Sequence, residues 1–324
     1  MVKRILSGIQ PSGKPHIGNY LGAMKQHLDS QEESETERFF FIANYHALTT
    51  SPDRDELRER SFDVARSYLA LGLDPSKTTM FLQSDVPEHT ELAWILTCVA
   101  PMGLLERCTS YKDKIARGLP TNHGLFAYPV LQSADILIYD ANVVPVGKDQ
   151  KQHVEVCRDL AIKINNIYGE VLTVPDAYIK EDVAVVPGTD GQKMSKSYQN
   201  TIDLFAPKKQ MKKQVMAIVT DSKELEDPKD PDTCNVFALY KYFSTAEEQA
   251  EMAENYRRGG YGYGHAKLAL LDKIQTFAAP HYERYQQLVA NPDEVLEILR
   301  EGGRKARVEA RKVMDRVRDA VGLL

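Results

Sequence analysis

Short apolar runs alternate with longer helical repeats through the first two-thirds of the chain. Arg4–Ile9, Phe39–Ile42 and Thr79–Leu82 have strand length, and Val143–Val146 is a shorter run ahead of a glycine. Between them the pattern predicts helices over Gly18–Leu28, Arg54–Leu71, Thr90–Val99, Ala134–Tyr139 and Gln150–Ile164. Strand–helix alternation at this spacing predicts an α/β domain with a Rossmann-like, doubly wound parallel sheet. Beyond about residue 205 the strands stop. Gln210–Ile218, Val236–Phe243, Ala246–Tyr256, Gly264–Val289 and Pro292–Val321 read as helices, broken by the turn Arg258-Gly-Gly-Tyr-Gly-Tyr-Gly264 and the loop Asp227–Asp232. The expected division is an α/β domain over 1–204 and an all-helical domain over 205–324, its last helix folding back on the first domain. Trp94, the sole tryptophan, sits on an apolar helix and is expected in the core, as is Cys157 on a later one.

Composition narrows the class. The 324 residues suit about two domains, and 43% hydrophobic with 27% charged residues is the balance of a soluble globular chain. A disordered chain, a collagen and a disulfide scaffold are excluded. No run of 18 apolar residues occurs, so no membrane span is expected. Met1–Gly8 is too short in its apolar part for a secretory signal and reads as the first strand. The cysteines, Cys98, Cys108, Cys157 and Cys234, form no CxxC, which argues against a zinc knuckle and for reduced thiols in the cytoplasm. The net charge of -5 speaks weakly against nucleic acid. Bases nevertheless gather at Lys208, Lys209, Lys212 and Lys213, and eight of them face three acids between Arg300 and Arg318. Those stretches suit either a polyanion or a solvated helix face.

Two motifs carry chemistry. In Ser7-Gly-Ile-Gln-Pro-Ser-Gly-Lys-Pro-His-Ile-Gly-Asn19 a strand ends, a Gly/Pro/Ser turn follows, and a helix opens. A helix N-terminus after such a turn gathers unpaired N–H groups that suit phosphate. Gly18 allows a base or ribose close to the backbone, and His16 can donate to a phosphate in the transition state. The pattern is neither GxGxxG nor a Walker A, and taken alone it is equally an ordinary turn. In Lys193-Met-Ser-Lys-Ser197, two lysines three apart on a Gly/Ser-rich turn can both reach one triphosphate. A surface basic turn is the plain alternative.

Paired at this separation, His16-Ile-Gly-Asn19 and Lys193-Met-Ser-Lys-Ser197 resemble the signature motifs of class I aminoacyl-tRNA synthetases. With Gly8-Ile-Gln-Pro-Ser-Gly13, Ala134-Asp-Ile-Leu-Ile-Tyr139, Val144-Pro-Val-Gly147 and the stretch to Asp159, the resemblance narrows to the bacterial tryptophanyl-tRNA synthetase family. It extends to the glycine-rich turn at 259–264. It implies activation of L-tryptophan by ATP, with Mg2+ on the triphosphate, and transfer to tRNA(Trp) by a homodimer. On this resemblance Gln10, His16, Gly18 and Asn19 touch ATP, Lys114 reaches the triphosphate, and Lys193, Ser195 and Lys196 grip its far end. Val146, Asp149, Gln150 and Met194 border the nucleotide, no protein ligand for the metal being implied. Asp135 receives the indole N–H, Val144, Val146, Leu6 and His46 surround the ring, and Tyr128 and Gln150 hold the ammonium. Asp135 is the lone charge in the apolar run Val130–Ile138, and a buried carboxylate needs a donor. Without the resemblance a helix-capping or salt-bridged aspartate is the simpler reading.

The chain departs from the family pattern in places. Gln132 stands where many members carry Met, Leu6 where some carry an aromatic residue, and Asn44 where Asp is frequent. The segment before Lys193 reads Gly-Thr-Asp-Gly-Gln192, which bears on loop closure. Only Cys234 lies in the helical part, where some members place an iron–sulfur cluster on several cysteines. His153 is either a pocket support or a structural histidine. A tyrosyl enzyme, and a synthetase-like protein that no longer charges tRNA, are the competing readings.

Overall fold

The computed structural model describes residues 3–50, 53–118, 121–146, 151–179 and 185–323. In chain order the first part runs β1 (Lys3–Ile9), α1 (Ile17–Asn19), a π turn (Tyr20–Met24), α2 (Lys25–Asp29), β2 (Thr36–Ile42), α3 (Asn44–Ala47), α4 (Arg54–Ala70) and β3 (Thr79–Leu82). It continues through α5 (Glu88–Val99), α6 (Met102–Glu106), α7 (Thr109–Ala116), α8 (His123–Leu137), β4 (Val143–Val146), α9 (Lys151–Tyr168) and β5 (Asp176–Ile179). Then come α10 (Lys208–Met216), α11 (Asn235–Tyr240), α12 (Ala246–Arg258), α13 (Tyr263–Ala290) and α14 (Pro292–Val321). All four expected strands are present.

The five strands are parallel in the order β3-β2-β1-β4-β5, with Leu6 opposite Phe39 and Ile5 opposite Val143. Apolar side chains leave both faces of the sheet, as a sheet covered by helices on both sides requires. Ile5, Phe40 and Ile42 join the core beneath α4 and the helical region, while Leu6, Phe39 and Phe41 join the core beneath α5, α8 and α9. β5 escaped sequence reading because it is one short edge strand just after Pro175. The expected helix over Ala134–Tyr139 is the tail of α8, which Asn122 caps through Leu125 N–H at 2.8 Å and which carries Pro129 inside. That proline hid its first half.

Trp94 corrects the sequence reading. It is 69% exposed, because α5 turns His89, Leu92 and Leu96 inward and presents Trp94 on the opposite side. Cys98, four residues on and therefore on the same face, is exposed too. Cys157 is fully buried, as expected.

The helical region does not stand apart. Tyr285 of α13 stacks on Phe205 at 4.4 Å and donates to Asp63 of α4 at 2.5 Å. α14 lies across β3, where a Cβ on Gly302 would come within 1.8 Å of the Met80 carbonyl oxygen, so only glycine fits this crossing. Ala306, Ala310, Val313, Met314 and Val317 of α14 belong to the core shared by α5, α8 and α9. Four of its bases meet acids of the sheet region. Arg307 and Arg311 meet the buried Glu88 at 2.7 and 3.2 Å, Arg318 meets Glu91 at 2.6 Å, and Arg316 meets Asp140 at 2.7 Å. The lysines of α10 lie at the surface. The Gly-rich turn fits under the acidic loop, since Gly259 (φ +80°) leaves no room for a Cβ beside Glu226. Lys229 ties that loop together by donating to the carbonyls of Glu224, Leu225 and Asp227.

Candidate active site

The carboxyl end of β1 lies between β2 and β4, and open α/β sheets bind ligands in the crevice there. A cavity of about 740 Å³ occupies this place. Leu6, Gln10, Asn19, His46, Tyr128, Asp135 and Val144, widely separated in sequence, all line it. An adjoining pocket of about 460 Å³ is lined by His16, Gly18, Lys193, Met194 and Ser195, and shares Asn19 with the first.

At one end Asp135 is buried, its side chain only 1% exposed. Its Oδ1 accepts from Gln83 Nε2 at 2.8 Å and from His89 Nδ1 at 2.6 Å, and its Oδ2 bonds His46 Nε2 at 2.7 Å. Burial alone pushes this carboxyl up. The His46 charge and the bonds from His46 and His89 outweigh it, holding Asp135 below the ordinary carboxylate range and therefore ionised. The carboxylate is thus partnered by protein before any ligand arrives, and one acceptor position remains on Oδ2. Leu6 and Val144 supply the apolar wall, and Gln132 joins the lining. Tyr128 Oη bonds His153 Nε2 at 2.6 Å, which makes His153 a support of the cavity wall.

At the other end the His16-Ile-Gly-Asn19 turn caps its own helix. The Asn19 N–H donates to His16 Nδ1 at 3.2 Å, and the Asn19 side chain accepts from the His16 N–H at 3.1 Å. This reciprocal box explains the three-residue spacing of the two side chains. Burial, reinforced by the nearby Lys196 charge, brings the His16 ring down to about 4 despite the opposing pull of Asp203. The ring is neutral at physiological pH. With Nδ1 accepting, its proton resides on Nε2, a donor free for phosphate. A Cβ on Gly18 would stand 3.0 Å from His16 Nδ1, so glycine keeps this floor open.

The lysine-bearing loop is brought alongside by backbone pairing. Ile17 N–H donates to the Ile202 carbonyl at 2.9 Å and Leu204 N–H to the Pro15 carbonyl at 3.2 Å. Gly18 N–H reaches Met194 Sδ at 3.3 Å. Buried Asn200 organises the loop, donating to Asp190 at 2.7 Å and to the Lys193 carbonyl at 3.1 Å while accepting from Ser195 N–H at 2.7 Å. Lys196 donates to the Ser12 carbonyl at the mouth of the large cavity, and burial holds its pKa below the usual lysine value. Lys193 is exposed.

Of the remaining expected residues, Lys114 sits in the last turn of α7, outside the cavity lining. Val146 closes β4, while Asp149 and Gln150 fall outside the described residues. Sequence reading missed Gln83, His89 and Asn200. Gln83 and His89 lie 52 and 46 positions from Asp135, and no local motif marks such a pairing.

Comparison with known proteins identifies the family. The family model described as tRNA synthetases class I (W and Y) matches residues 2–279. A tryptophan–tRNA ligase of Fusobacterium nucleatum is 53% identical over 324 residues, covering 100% of this chain and 99% of that protein. One of Campylobacter jejuni is 52% identical over 320 residues, covering 99% and 100%. The crystal structure of tryptophanyl-tRNA synthetase from Campylobacter jejuni complexed with ADP and tryptophan superposes with a TM-score of 0.94 at 52% identity, over 98% of this chain and 99% of that one. The chain belongs to the class I tRNA synthetases, in their tryptophan–tRNA ligase branch.

Proposed function

We propose that the two ends of the cavity divide the work of a tryptophan–tRNA ligase. At the buried end the indole N–H donates to Asp135 Oδ2, with Leu6, Val144, Val146 and His46 around the ring. Tyr128 and Gln150 hold the ammonium. Tryptophan thereby offers its carboxylate to the α-phosphate of ATP, seated on Gln10, Gly18 and Asn19 with Val146, Asp149, Gln150 and Met194 at its border. A carboxylate oxygen forms the new bond to the α-phosphorus, the bond to the bridging oxygen breaks, and pyrophosphate leaves with that electron pair. The protein's contribution is positioning and charge stabilisation. Neutral His16 donates from Nε2 to the developing charge, and Lys114, Lys193, Ser195 and Lys196 hold the departing phosphates. In the second step a hydroxyl of the terminal ribose of tRNA(Trp) attacks the adenylate carbonyl and AMP leaves.

Among the described residues no three His, Cys, Asp or Glu side chains gather into an ion-binding set. Magnesium would accompany the triphosphate, where it would neutralise part of the phosphate charge. The helical region 205–324 is the reading for the tRNA anticodon contact, with the surface lysines of α10 as its basic face. Exposed Trp94 and Met102 support an apolar face for a second copy, hence a homodimer. The free state of all four cysteines fits a reducing cytoplasm, and among the described residues no helix is long and apolar enough to cross a membrane.

The observation that carries this reading is the single acceptor left on Asp135 at the floor of the cavity. Amino-acid-dependent ATP–pyrophosphate exchange with all twenty amino acids, followed by charging of total tRNA, tests it. Exchange with tryptophan alone, then charging, is expected. Exchange with tyrosine would overturn the assignment of the pocket, and exchange without charging would leave a tryptophan-activating protein that is not a ligase.

A further inference from the structure

Behind Asp135 lies a buried group that takes no part in the reading above. His89 is 0% exposed and does not border the cavity. Its ring lies near Phe41 and Phe81, with centroids 5.7 and 6.3 Å away. Its two nitrogens meet two partners only: Nδ1 faces Asp135 Oδ1 at 2.6 Å and Nε2 faces Tyr139 Oη at 2.7 Å. Burial, with Asp135 and Glu88 nearby, keeps the Tyr139 phenol protonated. A phenol donating to Nε2 leaves the imidazole proton on Nδ1, aimed at the carboxylate.

We propose that His89, with Tyr139 behind it, is a positioning residue for amino-acid selection. A carboxylate oxygen has two in-plane lone pairs. His89 and Gln83 fill both on Oδ1, from the side of Asp135 that faces away from the cavity. His46, which borders the cavity, takes one on Oδ2. The position that remains is on Oδ2, the oxygen met by cavity-lining His46. Without His89 the carboxylate could rotate or take a water on Oδ1, and the acceptor would no longer be fixed in place for a ring N–H. The Tyr139 phenol fixes the imidazole tautomer, without which Nδ1 would present a lone pair to the carboxylate. The inference rests on Asp135 being the indole acceptor, and the experiment separates the two.

The probe is a pair of substrates, tryptophan and benzothienylalanine, in which sulfur replaces the ring N–H at nearly constant shape. Their ratio of kcat/KM in pyrophosphate exchange reads the hydrogen bond and little else. In His89→Phe the ratio is expected to fall about tenfold, the effect of loosening one hydrogen bond to a charged group, with KM for ATP unchanged. Tyr139→Phe should lower it in the same direction by a smaller factor. His89→Asn, which retains a donor near the Nδ1 position, should recover most of the ratio, as a general loss of packing would not. If His89→Phe does not fold, Tyr139→Phe and His89→Asn carry the test. An unchanged ratio in the folded His89 and Tyr139 variants, beside a collapsed one in Asp135→Asn, would overturn the role of His89 and leave the Asp135 reading intact. An unchanged ratio in Asp135→Asn as well would remove both.

Discussion

The two ends of the cavity are built by opposite rules. The end proposed for the amino acid is a closed circuit, in which buried Asp135 is held by Gln83, His46 and His89, and His89 in turn by Tyr139. The end proposed for phosphate is open. Lys193 is exposed, Lys196 rests on a backbone carbonyl of the opposite loop, and the segment is steadied by one buried side chain, Asn200. Recognition of a small neutral ring needs a donor or acceptor that cannot move, because the penalty for an unpaired buried group is what rejects the wrong substrate. Charge that develops on a leaving group calls for cations that arrive with it, and a loop can bring them.

The comparison breaks most readily at Asp135. Asp135→Asn removes the charge around which three donors are arranged, and kcat/KM for tryptophan should drop on the order of a thousandfold, with KM for ATP little changed. Steady-state pyrophosphate exchange reads this, and an unaltered tryptophan-to-phenylalanine selectivity would contradict the assigned role. Lys196→Ala should lower the single-turnover activation rate about a hundredfold while the dissociation constant for tryptophan stays within a factor of about two. Equal losses in both would mean that the loop serves ground-state binding. Asn200→Ala sharpens the contrast, since it loosens the loop without removing a cation. A fall of about tenfold in the same rate is expected, the scale of one misplaced positioning contact, and an unchanged rate would show that Asp190 and the backbone suffice. The smallest effect concerns pH. Because the His16 pKa is lowered to about 4, its neutral form is present throughout the range above about 5 and is lost only on further acidification. The activation rate should therefore show no limb near pH 6.5 that His16→Gln abolishes.

Much of this was legible in the sequence because it is local. The strand bounds at Thr79–Leu82 and Val143–Val146, and the helix Pro292–Val321, match the structure because apolar periodicity there runs uninterrupted between turn residues. The two signature turns are contiguous motifs, and Asp135 showed itself as a charge in an apolar run. The partners of Asp135 did not, since Gln83 and His89 come from the far side of β3 and the start of α5. Trp94 misled because an apolar residue on an apolar helix gives no hint of which face points inward when both do not. Asn200 lacked a signal because its three partners are two backbone groups and one loop side chain.

The crossing of α14 over β3 also bears on the birth of the molecule. The residues that seal the sheet on that side, Ala306 to Val317, follow every strand of the sheet in the chain. A ribosome that has completed the whole parallel sheet still holds a chain whose core is open along β3 and α5. Folding of the sheet region must then wait until α14 has followed, and during that interval the exposed apolar face is a substrate for chaperones and a risk for aggregation. Protease digestion of ribosome-stalled chains ending near residue 291 should find the sheet region degraded, and chains that include α14 should be protected. A resistant sheet in the stalled chain would show that α14 closes a domain already folded.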